Sequence, residues 1–236
     1  MTEHTRVCAR RLLTHVNFNM RELGGYPAAD GAYTRYGRFI RSDEPVSLSG
    51  GDIQFLLDYG VKTAIDMRVG FETDMTHSLK NVPGVDYINI PFSTDMEILY
   101  AESFDPEIHY VPLLTDTNGL KDIFTAMAGA GPGGIIFNCL AGKDRTGMVS
   151  AMLLLIAGVP ADDVIADYYA TYIYMNNNKD NYIRQKYAWH YGVSPAVCFP
   201  FLSFIKSRGG AEQYLLNLGV GERDIAALKR RLTGDY

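Results

Sequence analysis

Short apolar runs alternate with longer stretches of helical periodicity along this chain. Runs at 38–41, 61–66, 85–90 and 134–138 read as strands. The stretches at about 49–59, 118–129 and 146–158 read as helices, and more helix follows in the C-terminal third. Strands interleaved with helices predict an α/β fold, a central and mostly parallel sheet with helices on both sides. The whole of 1–236 reads as one domain, with a strand-rich segment over 1–48 and a helical region over 159–220 that packs on the sheet or caps a site.

One strand end carries more chemistry than the rest. After the breaker Gly131-Pro132-Gly133-Gly134 comes the β-branched and aromatic run Ile135-Ile136-Phe137. After Gly147 the chain is apolar nearly all round as far as Gly158, which suits a helix buried on most faces. Cys139 to Arg145 therefore spans a strand-to-helix turn at the carboxyl edge of the sheet, where such folds bind ligands. Amides of such a turn lack intrahelical partners and favour an anion. The same potential is expected to stabilise a thiolate at Cys139, since thiol pKa values in such places fall from about 8.5 to roughly 3.5–7.5. Arg145 can meet two phosphoryl oxygens in parallel, and Thr146 sets a hydroxyl beside the sulfur. This points to phosphate-ester hydrolysis through a phosphocysteine, a chemistry that needs no metal. The backbone of Leu140, Ala141, Gly142 and Lys143 would line the phosphate cup. Cys8 and Cys198 have Thr14 and Phe204 at the offset where Cys139 has Arg145. A nucleotide P-loop fails, because it needs Gly where Phe137 stands and Ser or Thr where Asp144 stands.

The loop Cys139-Leu140-Ala141-Gly142-Lys143-Asp144-Arg145-Thr146-Gly147 resembles that of the bacterial tyrosine-phosphatase family, which reads His-Cys-x-x-Gly-Lys-Asp-Arg-Thr-Gly. Asn17 to Tyr26, Gly37 to Ser42 and Ala64 to Arg68 resemble further blocks of that family, in its order. The resemblance implies a cysteine-phosphatase fold. It also implies an activity that in some members extends from phosphotyrosine to phosphoserine, phosphothreonine and phosphoinositides. Asn138 stands where the family usually has a histidine, and a slower or pH-shifted enzyme is expected.

The leaving oxygen needs a proton. Asp144, the residue favoured by the resemblance, can supply it, or can pair with Lys143 or Arg68; Asp116 and Asp95 are the other candidates on upstream loops. Asp66 is expected to support the site from behind, orienting Lys143 or Arg145 or pairing with Arg68. Lys143 either reaches a polyphosphorylated substrate or is bound to Asp144. The stretch from Tyr168 to Tyr191 holds eight aromatics and reads as a packed helix pair or a helical lid.

Composition narrows the partners. A net charge of −5 gives no support for nucleic-acid binding, and no run of 18 apolar residues spans a membrane. The N-terminal residues show no apolar signal core, so a cytoplasmic location is expected, with secretion after loss of a signal left open. Five histidines and three cysteines give neither zinc-like spacing nor a disulfide framework, and no cofactor is expected. Arg35, Arg38 and Arg41 are expected to be solvated. Three rivals remain: a binding module for phosphorylated partners, a rhodanese-type sulfurtransferase, and a papain-like thiol hydrolase that would leave Arg145 without purpose.

Overall fold

The structure is a computed structural model and describes residues 7–8, 10–92, 117–176 and 198–234. Its strands are β1 (Val7–Cys8), β2 (Arg11–Leu12), β3 (Arg21–Glu22), β4 (Phe39–Ser42), β5 (Val61–Asp66), β6 (Asp86–Asn89) and β7 (Gly134–Asn138). The helices are α1 (Gly50–Asp58), α2 (Thr117–Gly129), α3 (Asp144–Ile156), α4 (Ala161–Asn176), α5 (Cys198–Ser207), α6 (Ala211–Asn217) and α7 (Glu222–Thr233). The sheet order is β1-β2-β3-β4-β7-β5-β6. The first three pairings are antiparallel and the last three parallel, so the α/β expectation holds with an antiparallel N-terminal edge.

Alternation along the central strands divides the core. Phe39, Ile65, Ile135 and Phe137 face one apolar cluster, built with residues of α2, α3, α6 and α7. Ile40, Ala64 and Ile136 face the other, with Leu56 of α1 and with Leu12 and Met20. Helices thus cover both faces, as a parallel sheet requires. Nearly every residue of α3 is buried, including Met148, Leu153 and Leu154, in keeping with its apolar sequence on all sides. Gly147 lets α4 close onto its first turn, since a Cβ there would lie 2.7 Å from the Tyr168 ring.

Register fixes where the chemistry collects. Ser42 pairs with Asn138, Asn138 with Asp66, and Asp66 with Asn89, so four parallel strands end at one level. The residues that follow them (Asp43 and Glu44, Cys139, Met67 and Arg68, Ile90 to Phe92) converge on the carboxyl edge. No helix among the described residues is long and apolar enough to cross a membrane.

Candidate active site

The turn after β7 is shaped from outside, one carbonyl at a time. The Cys139 carbonyl accepts from Asn138 Nδ2 at 3.2 Å, and the Leu140 carbonyl from the Glu44 amide at 2.9 Å. The Ala141 carbonyl accepts from Asn19 Nδ2 at 3.1 Å. The Gly142 carbonyl takes both Asn19 Nδ2 at 2.9 Å and Arg41 Nη2 at 2.8 Å. Each peptide is trans, so its N–H points opposite to its C=O. The amides of Leu140, Ala141, Gly142 and Lys143 therefore turn away from these donors, an arrangement that makes an anion-binding concavity. Gly142 has φ +64°, and a Cβ there would meet the Asp43 nitrogen at 2.4 Å. Both the backbone angle and the space demand glycine.

The helix begins at Asp144, so Asp144, Arg145 and Thr146 lie in its first turn rather than in the loop. Thr146 Oγ1 accepts the Cys139 amide at 2.8 Å, tying the two ends of the turn together. Cys139 is 2% exposed. Arg145 is gripped end-on by Glu72, Nη1 to Oε2 at 2.7 Å and Nη2 to Oε1 at 2.6 Å. Nη1 also lies 3.4 Å from the carbonyls of Met67 and Phe92, at the ends of the neighbouring strands. This fixes the guanidinium plane.

Asp144 is paired with buried Lys143 at 3.6 Å and accepts from Tyr168 of α4 at 3.3 Å. Arg68 is engaged elsewhere, with Asp66 at 2.8 Å and Glu44 at 2.9 Å. Of the roles expected for Asp66, the structure thus places it with Arg68. It also accepts from Tyr87 at 2.9 Å and from Asn138 Nδ2 at 3.3 Å. Burial opposes ionisation of Asp66, but the Arg68 hydrogen bonds and charge outweigh it and hold the carboxyl below its ordinary range.

One expectation is corrected. Arg41 is not solvated; it is 0% exposed, with Nη1 on Asp167 of α4. Arg21 joins the same carboxylate through Nε at 3.0 Å, and Tyr26 donates to it at 3.1 Å. The three-residue spacing of the arginines could not show a countercharge 126 residues away.

Glu72, His77, Asn19 and Asp167 carry much of this geometry, yet sequence reasoning gave them no role. Glu72 and His77 sit in an irregular connection after β5, where acidic and polar residues ordinarily face water. Asn19 lies inside a block already noted, but nothing local marks its amide as the clasp of a loop 122 residues on. Asp95 and Asp116 lie outside the described residues, as does the aromatic stretch beyond α4. Within α4, Val164 and Tyr168 are buried while Tyr172 is exposed and stacks on Tyr169 at 5.5 Å.

A buried cysteine, an arginine in the following helix turn and a run of carbonyls pinned from outside the turn thus stand together at the carboxyl edge of the sheet. The family model described as the tyrosine phosphatase family matches residues 14–234, and the chain belongs to that family as a protein-tyrosine-phosphatase-like hydrolase. It is 29% identical over 220 residues to a tyrosine-protein phosphatase of Nostoc commune, covering 82% of this chain and 74% of that one. It is 27% identical over 226 residues to a putative tyrosine-protein phosphatase of Cupriavidus necator, covering 87% and 78%. Among solved structures, TpbA of P. aeruginosa is similar at 15% identity and a TM-score of 0.40, over 70% of this chain and 86% of that one. A variant of TpbA in complex with pTyr gives 14% and 0.43, over 80% and 91%.

Proposed function

We propose that this protein hydrolyses phosphate monoesters, phosphotyrosine foremost, through a phosphocysteine on Cys139. The observation that carries the reading is the set of four successive carbonyls, from Cys139 to Gly142, each held from outside the turn. Nothing in a structural strand-to-helix connection requires four separate clasps, whereas preorganised amides aimed at developing charge are the largest single contribution in such catalysis. The relatives named as tyrosine-protein phosphatases support the same reading.

In the proposed reaction the Cys139 thiolate attacks phosphorus in line, forming the S–P bond as the P–O bond to the aryl group breaks. Arg145, its plane set by Glu72, holds two equatorial oxygens, and the amides of Leu140 to Lys143 hold the remaining charge. Asp144 gives its proton to the leaving oxygen. It then takes one from the water that attacks phosphorus and breaks the S–P bond. Thr146, whose oxygen already accepts from the Cys139 amide, has its own proton to offer the departing sulfur. Lys143 is 2% exposed and paired with Asp144, which favours a role in holding the acid over reaching a second phosphate. Aryl monophosphates are therefore favoured over phosphoinositides.

The test is turnover of p-nitrophenyl phosphate in the presence of a chelator, with vanadate as inhibitor. Wild type should be active and Cys139→Ser inactive but still able to bind phosphate. Undiminished turnover by Cys139→Ser refutes the mechanism. Phosphate binding without any wild-type turnover leaves a binding module instead. Asp144→Asn should lose far more rate on phenyl phosphate than on the p-nitrophenyl ester; equal losses move the acid to Asp95 or Asp116.

A further inference from the structure

The residue before the nucleophile is an amide, and an amide has two faces that a loop can be built on in either sense. Asn138 is 0% exposed and lies between three groups: the Cys139 carbonyl, the Asp66 carboxylate and the His77 ring. With Nδ2 towards Cys139 it clasps the carbonyl at 3.2 Å. Turned over, it would set Oδ1 against that carbonyl and against Asp66, two acceptors facing an acceptor. The Cys139 carbonyl and the Asp66 carboxylate disfavour the turned state, and a third group holds the amide from its oxygen end. The Leu79 backbone N–H donates to His77 Nδ1 at 3.1 Å, so Nδ1 carries no proton. The proton of the neutral ring is then on Nε2, which donates to Asn138 Oδ1 at 3.1 Å. Nδ2 is left for the Cys139 carbonyl.

We propose that His77 is a positioning residue for the phosphate loop: it fixes the Asn138 amide, which fixes the Cys139 carbonyl outward and the Leu140 N–H towards phosphate. The inference rests on the phosphatase reading of the loop, and it adds a residue 62 positions before the nucleophile, on the antiparallel bridge between Val46 and His77.

The surroundings of the ring keep it in this state. Tyr87 of β6 packs on it at 5.1 Å, Asp66 and Arg68 face it from the end of β5, and Asn138 faces it from β7. Burial pulls the His77 pKa down to about 4, against the Asp66 charge. The ring therefore stays neutral, and the clasp stays set, throughout the neutral range. A doubly protonated ring would put an N–H against the Leu79 N–H.

Four proteins test the proposal: His77→Phe, His77→Gln, Asn138→Ala and the double variant His77→Phe/Asn138→Ala. Each is assayed for kcat/KM on p-nitrophenyl phosphate, for inorganic phosphate affinity by calorimetry and for thermal midpoint. His77→Phe keeps a ring of similar size but no donor, and should lower kcat/KM by about 10²-fold, the scale of a small misplacement of catalytic groups. His77→Gln offers one donor and one acceptor and should recover most of the loss. In the Asn138→Ala background, His77→Phe should cost less than threefold further, because the amide it positions is gone. A merely structural histidine would give losses that multiply, with kcat/KM following the thermal midpoint. The proposal is overturned by a His77→Phe enzyme within twofold of wild type, by multiplicative losses in the double variant, or by no recovery in His77→Gln. Should wild type show no turnover, the phosphatase reading fails, and the same cycle on phosphate affinity decides the positioning role by itself.

Discussion

Asp167→Asn probes the joint between α4 and the turn after β7. The Asp167 side chain is 2% exposed and is shared by Arg21, Arg41 and the Tyr26 hydroxyl. Burial on its own would raise this carboxyl, but the two guanidiniums overcome it and hold the pKa at about 2, below the ordinary 3.8. A drop of that size corresponds to roughly 2–3 kcal/mol of stability at neutral pH, at about 1.4 kcal/mol per unit. Burial, followed by the like charge of Arg21, pulls the Arg41 guanidinium down from its ordinary range, so one anion already serves two mutually repelling cations. Removing that anion leaves both buried without compensation, which typically costs about 3–5 kcal/mol. The asparagine keeps an acceptor oxygen, so about 3 kcal/mol is expected. At roughly 2–4 °C per kcal/mol for a chain of this size, the melting temperature should fall by about 6–12 °C at pH 7. The sign of the pH dependence follows from the depressed value. The Asp167 contribution is present above the ordinary 3.8 and is lost as pH falls towards 2. Urea unfolding of both proteins at pH 7 and at pH 3 measures this directly, and the gap should narrow in acid. A gap below 1 kcal/mol at pH 7, or one that does not shrink in acid, would refute the assignment of Asp167 as the shared counterion.

Two further outcomes follow from the same structure. Glu72→Ala removes the end-on grip on Arg145; kcat/KM on p-nitrophenyl phosphate should fall by about 10²-fold because the guanidinium loses its plane, and a loss under threefold would show that Met67 and Phe92 suffice. Glu22 is 0% exposed with Oε2 lacking a hydrogen-bond partner, and burial pushes its carboxyl up from 4.5 to about 7. Its stabilising contribution is complete below 4.5 and lost as pH rises through 7, so Glu22→Gln should gain about 3 kcal/mol on wild type between pH 4.5 and 8; a pH-independent difference in unfolding free energy would count against this.

The parallel core was legible because its signals are local. The runs at 61–66 and 134–138 match β5 and β7, and the helix expected to start at 146 starts at Asp144, two residues early, because the turn winds directly into it. Cys139, Arg145 and the glycine between them stood out for the same reason: a strand end, a tight turn and a helix start are consecutive in the chain. The very short edge strands β1 to β3 hold two residues each, too few for any alternation to show.

What the sequence determined by itself was a cysteine and an arginine held a fixed number of residues apart on a strand–turn–helix unit, because backbone geometry over eight residues needs nothing from elsewhere. What only the tertiary structure decided was the orientation of each peptide and of the guanidinium. Glu44 and Arg41 at the end of β4, Asn19 before β3 and Glu72 after β5 act on that turn through one or two hydrogen bonds each, and His77 acts on Asn138 beside it. A hydrogen bond between residues tens to more than a hundred positions apart leaves no periodicity in the chain. It exists only once the aligned ends of four strands have brought its partners together.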